Sequence, residues 1–538
     1  MQRTSLLSLL AIAMLLIASC KSSDKSAIAI PKDAGFVFQI NTASLSSKLS
    51  WKEIQQTNWF KTAYAKSEDS LAKKLLDNPE NTGINTDADL VFFAKNQGGI
   101  MFTVFEGLLK DAAAFEALNK KIQENAKATK NGDINVLQGS KEGITTWNNN
   151  KFIYVFQTPA GGGYNFSGDG EGGPRRVSTD SLIAFAKELY ELKSSENLSS
   201  DDRYAALVKE TGDMHMWINA ENLTGDLLGD VFAATKISDL IKGNVSAFTL
   251  NFDKGKIDGK STSYYNKEMT ALMEKYPTKD IEAELLSRLP SENITGVFSW
   301  NYPPAGLKEF LRIGGLEGLV NGFLGKAGYS LDEFVKANKG DVLVAASDFE
   351  LKAEQVTIPS YEEGGQPYTY TKTDPKVNVL FAASVNDKPA FEKLISVVKA
   401  QVGDFKADSV FHISYSVNDK WFAAGNSVDQ VNKFLAGDAK NKHAAIGKLA
   451  GHPSGFYVDI KKILTASTAA TTDSTAKIAL TESLNMWEDV LATGDHYSGG
   501  KLTGHFEINL VNKNENSLKQ LNQYFDKLAT LEMNKKGF

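Results

Sequence analysis

The stretch from Phe36 to Leu45, FVFQINTASL, decides how the rest of the chain is read. A short apolar run meets an asparagine, and a leucine follows four residues later. The run reads as a buried strand, and Asn41 as the residue whose side chain accepts hydrogen bonds from the first free N–H groups of a helix. Leu45 then falls on the helix face that packs back onto the sheet. The device returns as HMWINAENL (His215–Leu223), VFSWNYPPAGL (Val297–Leu307) and FYVDIKKIL (Phe456–Leu464). Leu223 and Ile463 take the part of Leu45. In the third copy Pro303 and Pro304 push Leu307 two residues on, and proline is tolerated in a first helical turn.

Other segments pair in the same order, as expected of a repeat. DLVFFA (Asp89–Ala94) matches DVLVAA (Asp341–Ala346), and DAAAFEAL (Asp111–Leu118) matches DKPAFEKL (Asp387–Leu394). NNNKF (Asn148–Phe152) and VNDKW (Val417–Trp421) read as hairpin turns. Ser178, Asp180 and Phe185 match Ser427, Asp429 and Phe434, and GKIDGK (Gly255–Lys260) matches GKLTGH (Gly500–His505). The expected fold is therefore α+β and internally duplicated, with mostly antiparallel sheets. Each half holds a larger α+β part, 30–195 and 291–437, and a smaller β-α-β-β-α part, 203–288 and 443–538.

The start of the chain is of another kind. Arg3 precedes the apolar run Leu6–Ala18, and Ser19, Cys20 and a polar stretch follow. Crossing a ~30 Å hydrocarbon core takes about 20 apolar residues, so this run reads as an export signal, 1–20, with a tether over 21–29. Ile17-Ala18-Ser19-Cys20 resembles a bacterial lipobox. That resemblance implies cleavage before Cys20 and acylation of its sulfur and new amine, a two-signal anchor of the kind that holds stably. Cys20 is the single cysteine of 538 residues, so the folded part is expected to stand without disulfides. Removing residues 1–20 takes away Arg3 alone and moves the formal charge from −6 to −7, which gives no electrostatic support for a nucleic-acid partner.

No catalytic, cofactor or metal residues are assigned. Gly168-Asp169-Gly170-Glu171-Gly172-Gly173 satisfies a dinucleotide glycine pattern literally, but it does not leave a strand directly, Pro174 follows it, and its acids would repel a pyrophosphate. Phosphate-loop, zinc-protease and esterase-elbow motifs are missing from the sequence. His496 and His505 come closest to a metal cluster, yet Lys260 stands where His505 does in the matching motif. Two segments interrupt the repeat, Thr158–Arg176 and Thr357–Lys376. Their aromatic residues Tyr164, Phe166, Tyr361, Tyr368 and Tyr370 are the candidate recognition positions, against an alternative of cross-strand packing in a hairpin.

The lipobox, the opening IPKDAGFVFQIN and the cysteine-free repeated body together resemble a family of Bacteroidota-type lipoproteins built on a domain of unknown function. The resemblance implies anchoring to the cell envelope, at the outer membrane, and supplies no active-site residues; an envelope protein or glycan is expected as partner from the binding role that the anchor and the repeat suggest. The expected role is non-catalytic binding or organisation. The alternatives are a hydrolase whose carboxylates the fold brings together, and a carrier of an apolar ligand with an internal cavity lined by Phe36, Phe38, Met216 and Phe456.

Overall fold

The computed structural model describes residues 28–67, 73, 76–123, 126–140, 143–159, 176–224, 235–358, 367–402 and 413–535. Among the described residues ten strands occupy the first half: β1 (Phe36–Ile40), β2 (Leu90–Gln97), β3 (Ile100–Leu108), β4 (Ala128–Asn131), β5 (Ile134–Ser140), β6 (Gly143–Trp147), β7 (Lys151–Pro159), β8 (Met214–Asn219), β9 (Val245–Asp253) and β10 (Lys256–Tyr264). Eight follow: β11 (Ile294–Asn301), β12 (Asn338–Ile358), β13 (Tyr368–Val385), β14 (Ser414–Val417), β15 (Trp421–Gly425), β16 (Ser454–Asp459), β17 (Trp487–Gly494) and β18 (Lys501–Leu510). Their pairings make one sheet, antiparallel throughout, in the order 4-5-6-7-3-2-1-8-9-10-18-17-16-11-12-13-15-14. The α+β class with an antiparallel sheet is thus observed.

The helix starts follow the expected chemistry. Asn41 Oδ1 accepts from Ser44 N at 3.0 Å, Asn219 Oδ1 from Asn222 N at 3.2 Å and Asp459 Oδ1 from Lys462 N at 2.8 Å. Asn301 does not cap: its amide donates to Asp341 and its Oδ1 accepts from Lys279 N, and the helix Pro304–Ile313 begins from Pro303 with no side-chain cap. Leu45 is buried, Ile463 half-buried and Leu307 exposed. Asp111 and Asp387 cap matching helices, which bury Phe115 and Phe391, and Ser178 and Ser427 cap two more, which bury Phe185 and Phe434. Each such cap is worth about 1 kcal/mol.

Side chains opposite one another in an antiparallel sheet share a face. One row crosses the sheet as Ile153, Glu106, Val91, Gln39, His215, Thr249, Lys260, His505, Thr493, Gly455, Ser299, Leu343, Ala382 and Ala423. Lys260 and His505, matched in the sequence, stand opposite each other at its centre. Outward from them the strands succeed one another in corresponding order on both sides, β9-β8-β1-β2-β3-β7 and β17-β16-β11-β12-β13-β15. The two larger cores lie on this face. In the first half Leu182 and Phe185 of one helix and Tyr204 and Leu207 of another cover Val91, Ile153 and Trp217. In the second, Leu285, Val431, Phe434 and Leu449 cover Leu343, Ala382 and Ala423.

One turn register differs from expectation. Asn148 N bonds to Lys151 O, and Asn418 N to Trp421 O, so Asn148 corresponds to Asn418 rather than Val417. Lys151 of the first half therefore corresponds to Trp421.

At the join of the halves, Gly259 of β10 faces Phe506 of β18, and a β-carbon built on Gly259 would lie 2.0 Å from the Phe506 ring. A glycine here lets the ring lie flat across the neighbouring strand. Gly259→Val should cost roughly 1–3 kcal/mol by overpacking. A thermal melt shows this as a lowered midpoint; an unchanged midpoint would mean the ring turns away freely.

Candidate functional site

The alternation of β11 sets up the site. Val297 and Ser299 point into the core, so Phe298 and Trp300 point to the other face. On that face Ala424, Phe381, Val344, Phe298, Phe456 and Ala492 form a row over six adjacent strands, ~24 Å at the usual strand spacing. Its four middle members are large and uncovered: Phe381 is 37% exposed, Val344 39%, Phe298 43% and Phe456 41%, with Val379 at 41% and Trp300 at 45% beside them. Neighbouring helices approach without closing the strip. Ile460–Ala470 packs against β11, β12 and β17, and Leu331–Ala337 against β12. A contiguous exposed apolar patch of this kind marks an interaction surface more often than a lone exposed side chain does.

The corresponding row of the first half, Tyr154, Phe105, Phe92, Phe38 and Met216, is better covered, with Phe92 its one exposed member. The helix Ala112–Ile122 brings Phe115 against Phe152 at 5.1 Å and Tyr154 at 5.9 Å between ring centres. Phe36, Phe38, Met216 and Phe456 were expected around an internal cavity. Phe36, Phe38 and Met216 are half-buried on the sheet face and Phe456 is exposed, so they belong to open sheet rows rather than to an enclosed chamber.

Of the expected recognition residues, Tyr164, Phe166 and Tyr361 lie outside the described residues, as does Cys20. So does the glycine pattern 168–173. Tyr368–Lys376 pairs with Glu350–Ile358 as the hairpin reading expects, so β12 and β13 run on past the sheet as a ribbon. Tyr368 pairs with Ile358, and Tyr370, which is exposed, pairs with Val356. The ribbon leaves the sheet at Asp348, a non-glycine residue with positive φ of 54°, whose carboxylate accepts from Ser291, Asn378 and Gln430. His496 and His505 do not converge: His496 Nε2 meets Asp280 at 2.7 Å, whereas His505 Nε2 lies 3.8 Å from Asp495. Among the described residues no group of three or more His, Cys, Asp and Glu is placed to hold a metal ion.

A second feature had no local sequence signal. Glu106 is 1% exposed, its Oε1 accepts from Ala29 N at 3.0 Å and its Oε2 has no hydrogen-bond partner among the described residues. Burial pushes its carboxyl up to about 7, against the opposing effects of the Lys151 charge and the Ala29 bond. Burial also lowers the Lys151 ammonium, against Glu106. Lys151 Nζ sits 4.8 Å from the centre of the Tyr190 ring. Nearby, Tyr204 OH donates to Gln39 at 2.9 Å and Gln39 Nε2 to Asp89 at 2.6 Å, beside a pocket of about 60 Å³ that Ile28 and Ile30 help to line. That pocket holds a few waters at most. At the corresponding register positions the second half carries Ala382 and Trp421. The buried charges are therefore not something this sheet needs in order to fold.

Residues 27–290 carry a match to the family described as Domain of unknown function (DUF4836). The DUF4836 match takes in β1–β10 and stops before β11, so the exposed strip lies beyond it. Comparison with curated proteins gives no match. Among solved structures, crystal form I of TP0453 is 12% identical, covers 45% of this chain and 80% of that chain, and has a TM-score of 0.23. Crystal form III of TP0453 is 11% identical, covers 48% and 89%, and has the same TM-score of 0.23.

Because the folded-state value of Glu106 lies above its ordinary 4.5, its stabilising contribution is complete below 4.5 and is lost as pH rises to about 7. The loss is bounded at roughly 3 kcal/mol. Glu106→Gln keeps the shape and removes the titration, so urea midpoints of the variant should lose that slope between those pH values. An equal slope in both proteins would assign it elsewhere.

Proposed function

We propose that the protein is a lipid-anchored component of the bacterial cell envelope, at the outer membrane, with a non-catalytic binding role, and that the acyl chain of an envelope lipid is what it binds. The observation that carries the reading is the uncovered row Phe381, Val344, Phe298 and Phe456 with Trp300 and Val379 beside it. Covering the exposed part of each is worth roughly 1 kcal/mol, of order 5 kcal/mol together before the cost of immobilising a ligand. The strip is apolar and long in one direction, which suits a chain-like hydrocarbon better than a polar glycan. The export signal and Ile17-Ala18-Ser19-Cys20 support placement beside lipid, and the opening IPKDAGFVFQIN supports kinship with Bacteroidota-type lipoproteins. The corresponding strand order on the two sides of Lys260 and His505 supports an origin by duplication, with the open strip belonging to the second copy.

Two measurements test this. Mass spectrometry of the mature N-terminus should find an acylated Cys20; an unacylated Cys20 or a retained Met1 would remove the anchor. In a titration with the fluorescent fatty acid cis-parinaric acid, the double variant Phe298→Asp, Phe456→Asp should bind about tenfold more weakly or worse. Val428→Asp, at an exposed position off the sheet, should bind like the wild type. No binding by the wild type, or equal binding by the strip variant, would sink the acyl-chain reading and leave a protein or glycan partner to be sought.

A further inference from the structure

The helix Glu317–Lys326, EGLVNGFLGK, has no buried residue. Leu319 and Phe323 are 73% and 63% exposed, the most exposed large hydrophobic side chains among the described residues. At 100° per residue, Leu319, Gly322, Phe323 and Lys326 share one face, and all are exposed. Val320, Asn321 and Leu324 form the opposite, partly covered side, where Asn321 Oδ1 accepts from Leu331 N at 2.9 Å. A β-carbon on Gly318, Gly322 or Gly325 would meet nothing within 4 Å. Glycine inside a helix costs about 1 kcal/mol, so propensity does not explain this segment. It is held at its ends, by Leu316 N bonding to Leu311 O at 2.8 Å and Tyr329 N to Leu324 O at 3.0 Å.

We infer that this helix lies in the membrane surface, with Leu319 and Phe323 entering the acyl region and Lys326 reaching back to the headgroups. The choice of a bilayer rests on the anchored-binder reading above. Seven residues, 21–27, separate Cys20 from Ile28, where the described body begins. The eight Cα steps from Cys20 to Ile28, at ~3.5 Å each, span at most about 28 Å, so the Ile28 end of an anchored body stays within that distance of the bilayer. An apolar helical face with a terminal lysine whose stem can lie along it is the pattern of an interfacial helix. The helix also connects to the strip: it follows the helix Pro304–Ile313, which begins just after Trp300 and Asn301 at the end of β11. In space it packs on Pro304–Ile313 and Leu331–Ala337, and the latter packs on β12, the strand that carries Val344 of the strip.

The test separates the helix from the anchor. Cys20→Ser removes acylation and leaves no other cysteine, so Leu319→Cys in that background accepts one nitrobenzoxadiazole label. With phosphatidylethanolamine–phosphatidylglycerol vesicles the label should shift to the blue and be quenched by nitroxide-bearing lipid. The same label at Val428→Cys should do neither. Leu319→Glu with Phe323→Glu, both at exposed positions, should lower vesicle flotation of the Cys20→Ser protein about tenfold, with its circular-dichroism melt unchanged. A label at 319 that behaves like the one at 428 overturns the inference, even when the N-terminus is acylated. A shifted label on a protein whose natural N-terminus is unacylated supports the helix and overturns the anchor alone.

Discussion

The pairing of β10 with β18 along Lys256–Tyr264 and Lys501–Asn509 is the constraint on which the molecule depends. Without it each half would end in an unpaired strand offering free N–H and C=O groups, the situation that invites aggregation. The join is held on both faces. Lys256 lies between Asp258 and Glu507 on one. On the other, Ile257 and Ile508 pack with Leu45, Phe252, Trp487 and Leu518, and Phe506 lies over Gly259. The C-terminal helix Ser517–Lys535 then crosses back to the first half, where Lys519 Nζ meets Glu53 at 2.5 Å and Asp526 accepts from Trp59 N at 2.9 Å. Apolar packing carries most of this stability; the exposed ion pairs add at most ~1 kcal/mol each and mainly fix register.

Much of the fold was legible in the sequence because its signals are local. A helix cap needs one side chain within three residues of the N–H groups it accepts from, so Asn41, Asp111, Asp387 and Asp459 could be read one at a time, whereas Ser178 and Ser427 were matched between the halves and their capping emerged only in the structure. Asn301 failed because its side chain is engaged by Asp341 and Lys279, partners that only tertiary structure supplies. The turn at Asn418 was placed one residue off because a short match does not fix register, whereas a backbone bond from Asn418 to Trp421 does. The ribbon of β12 and β13 was legible as a hairpin from the alternation of Tyr368 and Tyr370, and the pairing of Tyr368–Lys376 with Glu350–Ile358 is what that alternation predicts.

The candidate site was legible only in part, for a different reason. Alternation in VFSWN divides side chains between two faces without saying which face is covered. Phe298 and Trp300 became distinctive once Val297 and Ser299 were seen packed inward. Glu106 gave no signal either, since an acid in an apolar strand acquires its character from Ala29 and Lys151, distant in sequence.

The difference between the halves bears on what the strip is for. Equivalent strands carry a polar interior in the first half, with Glu106 and Lys151, and a largely apolar one in the second, with Ala382 and Trp421. On the opposite face the first half covers its aromatic row with Phe115, packed on Phe152 and Tyr154. In the second half the corresponding Phe391 reaches Phe422, at 5.2 Å, and leaves Phe381, Val344, Phe298 and Phe456 uncovered. The same sheet thus permits a closed face, so an open one is not forced by topology. Each exposed Phe forgoes roughly 1 kcal/mol of burial that a larger neighbouring side chain would recover. Stability alone would favour covering these residues, and that unrecovered burial is the physical ground on which the proposed binding role rests.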